Sequence, residues 1–170
     1  MGCSCLFGRD FEFDQKIWSK LRKPLGRRRK SRESALQILF QLEFNRPQVE
    51  KIIDQFWKEK KASKEIQDYT NWLVKGIVSR QEKIDNLIQS TSDHWRLSRM
   101  AHVDRNILRI AVFEFLSEEN VAPAVIINEA IEIAKKYSSD EAAAFVNGIL
   151  DTVRKKLEAG KDSSREGKDD

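Results

Sequence analysis

Cysteine is nearly absent: 170 residues contain two, Cys3 and Cys5, both at the extreme start of the chain. Side by side they cannot staple a fold, and neither His94 nor His102 stands at a zinc-type spacing from them. Nothing here organises a disulfide scaffold or a metal centre, and a reducing, cytoplasmic setting fits. Proline is also scarce, at three residues, and glycine at seven. No Gly-rich phosphate loop, dinucleotide fingerprint, Gly-x-Ser-x-Gly elbow or paired-histidine motif occurs, so the residues imply neither catalysis nor a cofactor. No apolar run approaches the roughly 20 residues of a membrane helix, and Met1 to Phe7 lacks both the basic start and the full apolar segment of a secretory leader. Gly2 invites myristoylation, but Leu6 stands where that pattern wants Ser or Thr.

What is present is charge. Charged residues make up 34% of the chain, above the usual figure of about 25%, beside 40% hydrophobic residues that support a buried core. The length suits one compact domain or two very small ones. Between Gln15 and Arg32 stand nine cations and no acid, which leaves −5 on the rest of a chain whose total is +4. The chain is therefore a basic arm on a mildly acidic body. Such a cluster suits phosphates, because each neutralised phosphate releases counterions and adds salt-sensitive affinity. Charge alone also fits a solvated arm, a targeting segment or a membrane-surface segment.

Apolar spacing is helical nearly everywhere, so the fold expected is all-α with six to seven helices. Ser31 is read as the N-cap of a first helix bearing Ala35, Ile38, Leu39 and Leu42, ended by Asn45 and Pro47. A short helix follows with Ile52, Ile53 and Phe56. From Ser63 a pattern of nearly 30 residues predicts a bend at Gly76 or a break after it. The stretch from Thr91 to Ser98 reads as a polar connection. Val103 to Leu116 is apolar on most sides, which predicts a central helix. Pro123 opens the next helix, Ser138 and Ser139 offer a cap, and Asp140 and Glu141 favour the start of a last helix carrying Phe145, Val146, Ile149, Val153 and Leu157. From Glu158 onward the chain is Gly, Ser and mixed charge, which predicts disorder.

Few residues stand out chemically. Glu129 and Glu132 lie one turn apart but lack histidine or metal partners, and read as a helix surface. Asp104 sits where it can serve a positive helix end. The tryptophans and most phenylalanines fall in core stripes. Tyr137 and Phe145 bracket a junction between two helices, where core packing and base stacking are both open readings.

Three stretches together resemble the NusB family of transcription antitermination factors: RRKSRESALQILFQLEF (Arg28 to Phe44), HVDRNILRIAVFEFL (His102 to Leu116) and APAVIINEAIEIAKKYSSDEAAAFVNGILD (Ala122 to Asp151). The resemblance implies two small packed helical bundles and a non-catalytic RNA-binding protein. It would pair with the small-subunit ribosomal protein NusE, bind single-stranded boxA RNA in ribosomal RNA leaders, and serve the RNA polymerase antitermination complex, with a homodimer as an option for the free protein. By matching positions, Arg28, Arg29, Lys30 and Arg32 would hold the RNA backbone. Tyr137, Glu141 and Phe145 would line the surface that reads or stacks bases, while Phe40 and Asp104 would face NusE. Glu141 would accept from a base amino group or temper affinity by repelling phosphate.

The division expected is an N-terminal extension over 1–26, a NusB-like domain over 27–157 and a tail over 158–170. The extension, with Phe11, Phe13, Ile17, Trp18 and Leu21 among basic residues, has no counterpart in the family's pattern. It would lengthen the RNA site, pack as an extra helix or reflect an early start. Ser138-Ser139 stands where a small residue such as glycine is common in the family. The competing functions are a helical protein–protein adaptor and an accessory domain related to that of ribosomal-RNA methyltransferases.

Overall fold

The computed structural model describes residues 26–44, 48–91, 95–117 and 121–166, with side chains as far as Gly160 in the last helix. Both cysteines, the arm cations Lys16, Lys20, Arg22 and Lys23, His94 and the stop signal at Asn45 and Pro47 lie outside the described residues. Within them the secondary structure is seven α-helices without a strand: α1 (Arg27–Leu42), α2 (Val49–Glu59), α3 (Lys64–Ser79), α4 (Gln81–Gln89), α5 (His102–Leu116), α6 (Pro123–Tyr137) and α7 (Asp140–Glu166). A 3₁₀ turn, Leu97–Arg99, leads into α5.

The elements fall into two groups, α1 to α3 and α4 to α7, with the most extensive packing between α1 and α3 and between α6 and α7. Helix α5 touches both groups, and every residue from Arg105 to Glu114 on it is buried. One continuous core of Ile, Leu, Val, Ala and Phe side chains runs through the two groups. An apolar face on nearly all sides is what places α5 at the centre, because a helix that is hydrophobic all round must be covered all round.

The long pattern from Ser63 breaks rather than bends. Arg80 leaves the helical region at φ −120° and ψ 16°, and α4 begins at the next residue. Gly76 lies just before that break because the Phe113 ring of α5 rests on its backbone: a Cβ built there would stand 2.1 Å from Phe113 Cζ.

Two expectations are corrected. Helix α1 starts at Arg27 after Gly26, not at a Ser31 cap; Lys30 N–H already donates to the Gly26 carbonyl at 3.1 Å, and Ser31 is buried inside the first turns. Its hydroxyl donates to the carbonyl of Arg27 or of Ile66 on α3, so the serine ties two helices together instead of capping one. At the other end the path stays helical from 158 to Glu166, where the composition predicts disorder. The side chains of Arg154 and Glu158 pair at 2.9 Å and those of Lys155 and Asp151 at 2.7 Å, and each further residue adds a backbone bond to a helix already nucleated. Among the described residues no helix is long and apolar enough to cross a membrane.

Candidate nucleic-acid interface

Folding the arm into α1 has a geometric consequence, since successive cations turn about 100° around the axis and cannot share one face. Arg27 and Arg28 face α3. Arg27 pairs with Glu65 at 2.5 Å, and the Arg28 guanidinium lies 3.8 Å from the centroid of the Tyr69 ring. With Lys64 and Trp72 they line a shallow groove of about 520 Å³. Arg29 faces α6, where its Nε and Nη2 donate to the two Glu129 oxygens at 2.8 and 2.6 Å. Lys30 is exposed. The bonds from Arg29 hold the Glu129 carboxyl below the usual glutamate range, and Glu129 in turn raises Arg29. Cations at a helix N-terminus oppose the macrodipole, so these carboxylates from α3 and α6 are what makes a basic first turn tolerable.

Arg32 corrects the expectation that it holds RNA. It is 4% exposed, with Nε and Nη2 bonded to Glu114 of α5 at 2.9 and 2.8 Å and Nη1 3.6 Å from Glu129. Tyr69 Oη also donates to Glu114. Burial opposes the charge on Arg32, yet the bonds and charge of Glu114 outweigh it and raise its pKa. Arg32 is a cross-link between α1 and α5 that solvent, and so phosphate, does not reach.

The α6–α7 junction lies beside the arm. Besides the Arg29–Glu129 pair, Lys136 Nζ donates to Glu33 at 2.8 Å, joining the end of α6 to α1, and sits 5.0 Å from the Tyr137 ring centroid. Ser139 caps α7: its Oγ accepts from Ala142 N–H at 3.0 Å. Glu141 is exposed, and its own amide and the Ser139 hydroxyl hold its carboxyl below the usual range. The first turn of α7 therefore already has its acceptors, a built-in carboxylate among them, and is no open site for a phosphate. Phe145 follows Glu141 by four residues on the same face and is 39% exposed. It lies on Trp95 of the α4–α5 connection, ring centroids 5.4 Å apart.

A basic helix end thus stands beside a junction that carries the exposed Phe145 ring. The NusB family model matches residues 29–155. This chain belongs to the NusB family. It is 44% identical over 135 residues to a transcription antitermination protein NusB of Koribacter versatilis, covering 79% of this chain and 92% of the relative. It is 46% identical over 131 residues to the NusB of Bdellovibrio bacteriovorus, covering 75% and 95%. Among solved structures, T. maritima NusB superposes with a TM-score of 0.70 at 38% identity, covering 79% of this chain and 93% of that one. A structure of the antitermination factors NusB and NusE in complex with dsRNA superposes at 0.68 with 27% identity, covering 76% and 96%.

Within this NusB fold the two residues expected to face a protein partner, Phe40 and Asp104, lie on α1 and α5. Phe40 is 39% exposed near the end of α1, and its ring lies 6.3 Å from that of His102, which opens α5 two residues before Asp104. Phe44, 63% exposed, completes the cluster at 5.6 Å from Phe40 and 5.5 Å from His102. A polar layer holds it from beneath: Glu43 pairs with Arg109 at 2.6 Å and Arg105 at 3.0 Å, and Arg109 Nε reaches Asp85 at 2.7 Å. Burial works against the Glu43 charge, but the two arginines override it and keep its carboxyl low. Asp104 stands in the first turn of α5, where its charge serves the positive helix end, and its Oδ1 is buried without a hydrogen-bond partner among the described residues.

Sequence reasoning missed Phe44, His102 and Trp95. Phe44 lies two residues beyond Leu42, the last residue of α1, where the buried stripe has ended. His102 and Trp95 carry no spacing signal, because each gains its aromatic neighbour from another part of the chain.

Proposed function

We propose that this chain is a non-catalytic, cytoplasmic transcription antitermination factor that pairs with the ribosomal protein NusE and binds boxA-type single-stranded RNA of ribosomal RNA leaders within the RNA polymerase antitermination complex. The observation that carries the RNA half is the position of Arg29 and Lys30 on α1, beside the Tyr137–Phe145 junction to which the Arg29–Glu129 and Lys136–Glu33 pairs tie that helix. Arg28, Arg29 and Lys30 supply backbone contacts, and Tyr137, Glu141 and Phe145 supply the base-reading side. Glu141, fixed as a carboxylate, accepts from a base amino group or tempers affinity until the partner protein is present. The partner surface is Phe40, Phe44, His102 and Asp104: exposed rings over a rigid charged layer, the anchor chemistry of a protein interface. A relative solved as NusB with NusE and dsRNA supports NusE as the partner and RNA as the class of ligand.

Binding of labelled boxA-like RNA and a scrambled control, over a salt series and with or without NusE, tests this reading. The expected result is preference for the boxA-like RNA, strengthened by NusE, with Phe145→Ala weakening RNA and Phe40→Ala weakening the partner. Glu141→Gln separates its two roles: tighter binding marks a tempering charge, weaker binding a base contact. Binding to neither RNA would leave a protein adaptor instead.

A further inference from the structure

Trp95 sits in the connection read from sequence as a polar linker, but the structure fixes it. Gln89 Nε2 donates to the Trp95 carbonyl at 2.8 Å while Gln89 Oε1 accepts from Leu97 N–H at 2.9 Å, and Leu97 is buried in the 3₁₀ turn. The indole is half-buried and meets Phe145 edge to face, with the rings inclined at 67°. Farther along α7, Lys156 Nζ donates to the Ser90 carbonyl at the end of α4, so a second bond holds α7 to the same connection. Arg96, next to the indole, is exposed. Two large rings half in water, held rigid by flanking bonds, lose little freedom when they bind.

We propose that Trp95 and Phe145 form one platform that takes an unstacked base of single-stranded RNA, with Arg96 meeting an adjacent phosphate, so that the RNA path crosses α7 onto the α4–α5 connection. This rests on the RNA-binding reading above and extends it to residues outside the arm and junction. Two rings inclined at 67° make a corner in which a base lies on one face with its edge against the other ring, and stacking of this kind accepts any base. RNA is favoured over a protein occupant because the platform continues the Glu141–Phe145 face and carries a cation at its rim.

The test uses the full chain with NusE and boxA-like RNA carrying 2-aminopurine at successive positions. One position is expected to be quenched on binding, and Trp95→Ala to abolish that quenching and weaken RNA binding about tenfold. Trp95→Phe is expected to restore most of both. Trp95→Leu keeps apolar packing without a π-face and is expected to behave as Trp95→Ala, which keeps the test valid if the alanine variant does not fold. Arg96→Ala is expected to flatten the salt dependence by about 0.7 in log–log slope. If the Trp95 variants bind RNA like the wild type while Phe145→Ala binds weakly, the platform is wrong and the RNA reading stands. If they weaken NusE binding in the absence of RNA, the surface belongs to a protein. If the wild type shows no preference for the boxA-like RNA, the broader reading falls and takes the platform with it.

Discussion

Glu114 shows how one residue can hold two helices on a third. Its carboxylate takes the Arg32 guanidinium from α1 and the Tyr69 hydroxyl from α3, all in the buried centre. Removing it would leave a buried arginine and a buried hydroxyl without that acceptor, a loss of about 3–5 kcal/mol for a broken buried pair. Glu114→Ala is therefore expected to lower stability by that order in urea unfolding. Arg32→Met with Glu114→Leu, which removes both charges and keeps volume, is expected to recover much of the loss. The sequence could not assign Arg32 to this role. Its partner lies 82 positions away, and a cation among cations shows no sign of which one turns inward. The same limit hid the aromatic contacts of His102 and Trp95, whereas the Ser139 cap was legible because a cap and its target are neighbours in the chain.

At the scale of helices, local pattern carried further. The central α5, the start of α6 at Pro123 and the junction before α7 all follow from periodicity and end signals, because 3.6-residue spacing and capping are local properties. The start of α1 did not follow, since its first turn is stabilised by Glu65 and Glu129 from other helices rather than by residues of its own. The break after α3 was open between two readings, and the packing of Phe113 against Gly76 is what accompanies it. Alanine at Gly76 would gain about 1 kcal/mol in helix propensity, yet its Cβ would fall within 2.1 Å of a ring that is itself buried against Trp72. Gly76→Ala is expected to be destabilising by about 1–3 kcal/mol in thermal melts, with Phe113→Leu in the same chain restoring part of it.

At the scale of the whole molecule, the basic arm and acidic body were plain in composition, but their mutual engagement was not. Glu65 and Glu129 of the body answer Arg27 and Arg29 of the arm, so the charge offered to RNA is smaller than a count of cations suggests. Single-stranded RNA loses about 0.7 in log–log salt slope for each phosphate contact removed. Lys30→Ala is expected to flatten the slope by about that amount at unchanged stability, since Lys30 is exposed on α1. Arg32→Ala is expected to leave the slope of the folded protein unchanged while lowering its unfolding midpoint, because its charge is spent on Glu114. Measured together, slope and midpoint separate the cations that meet phosphate from those that hold the helices, and equal flattening by the two variants would place Arg32 back on the surface.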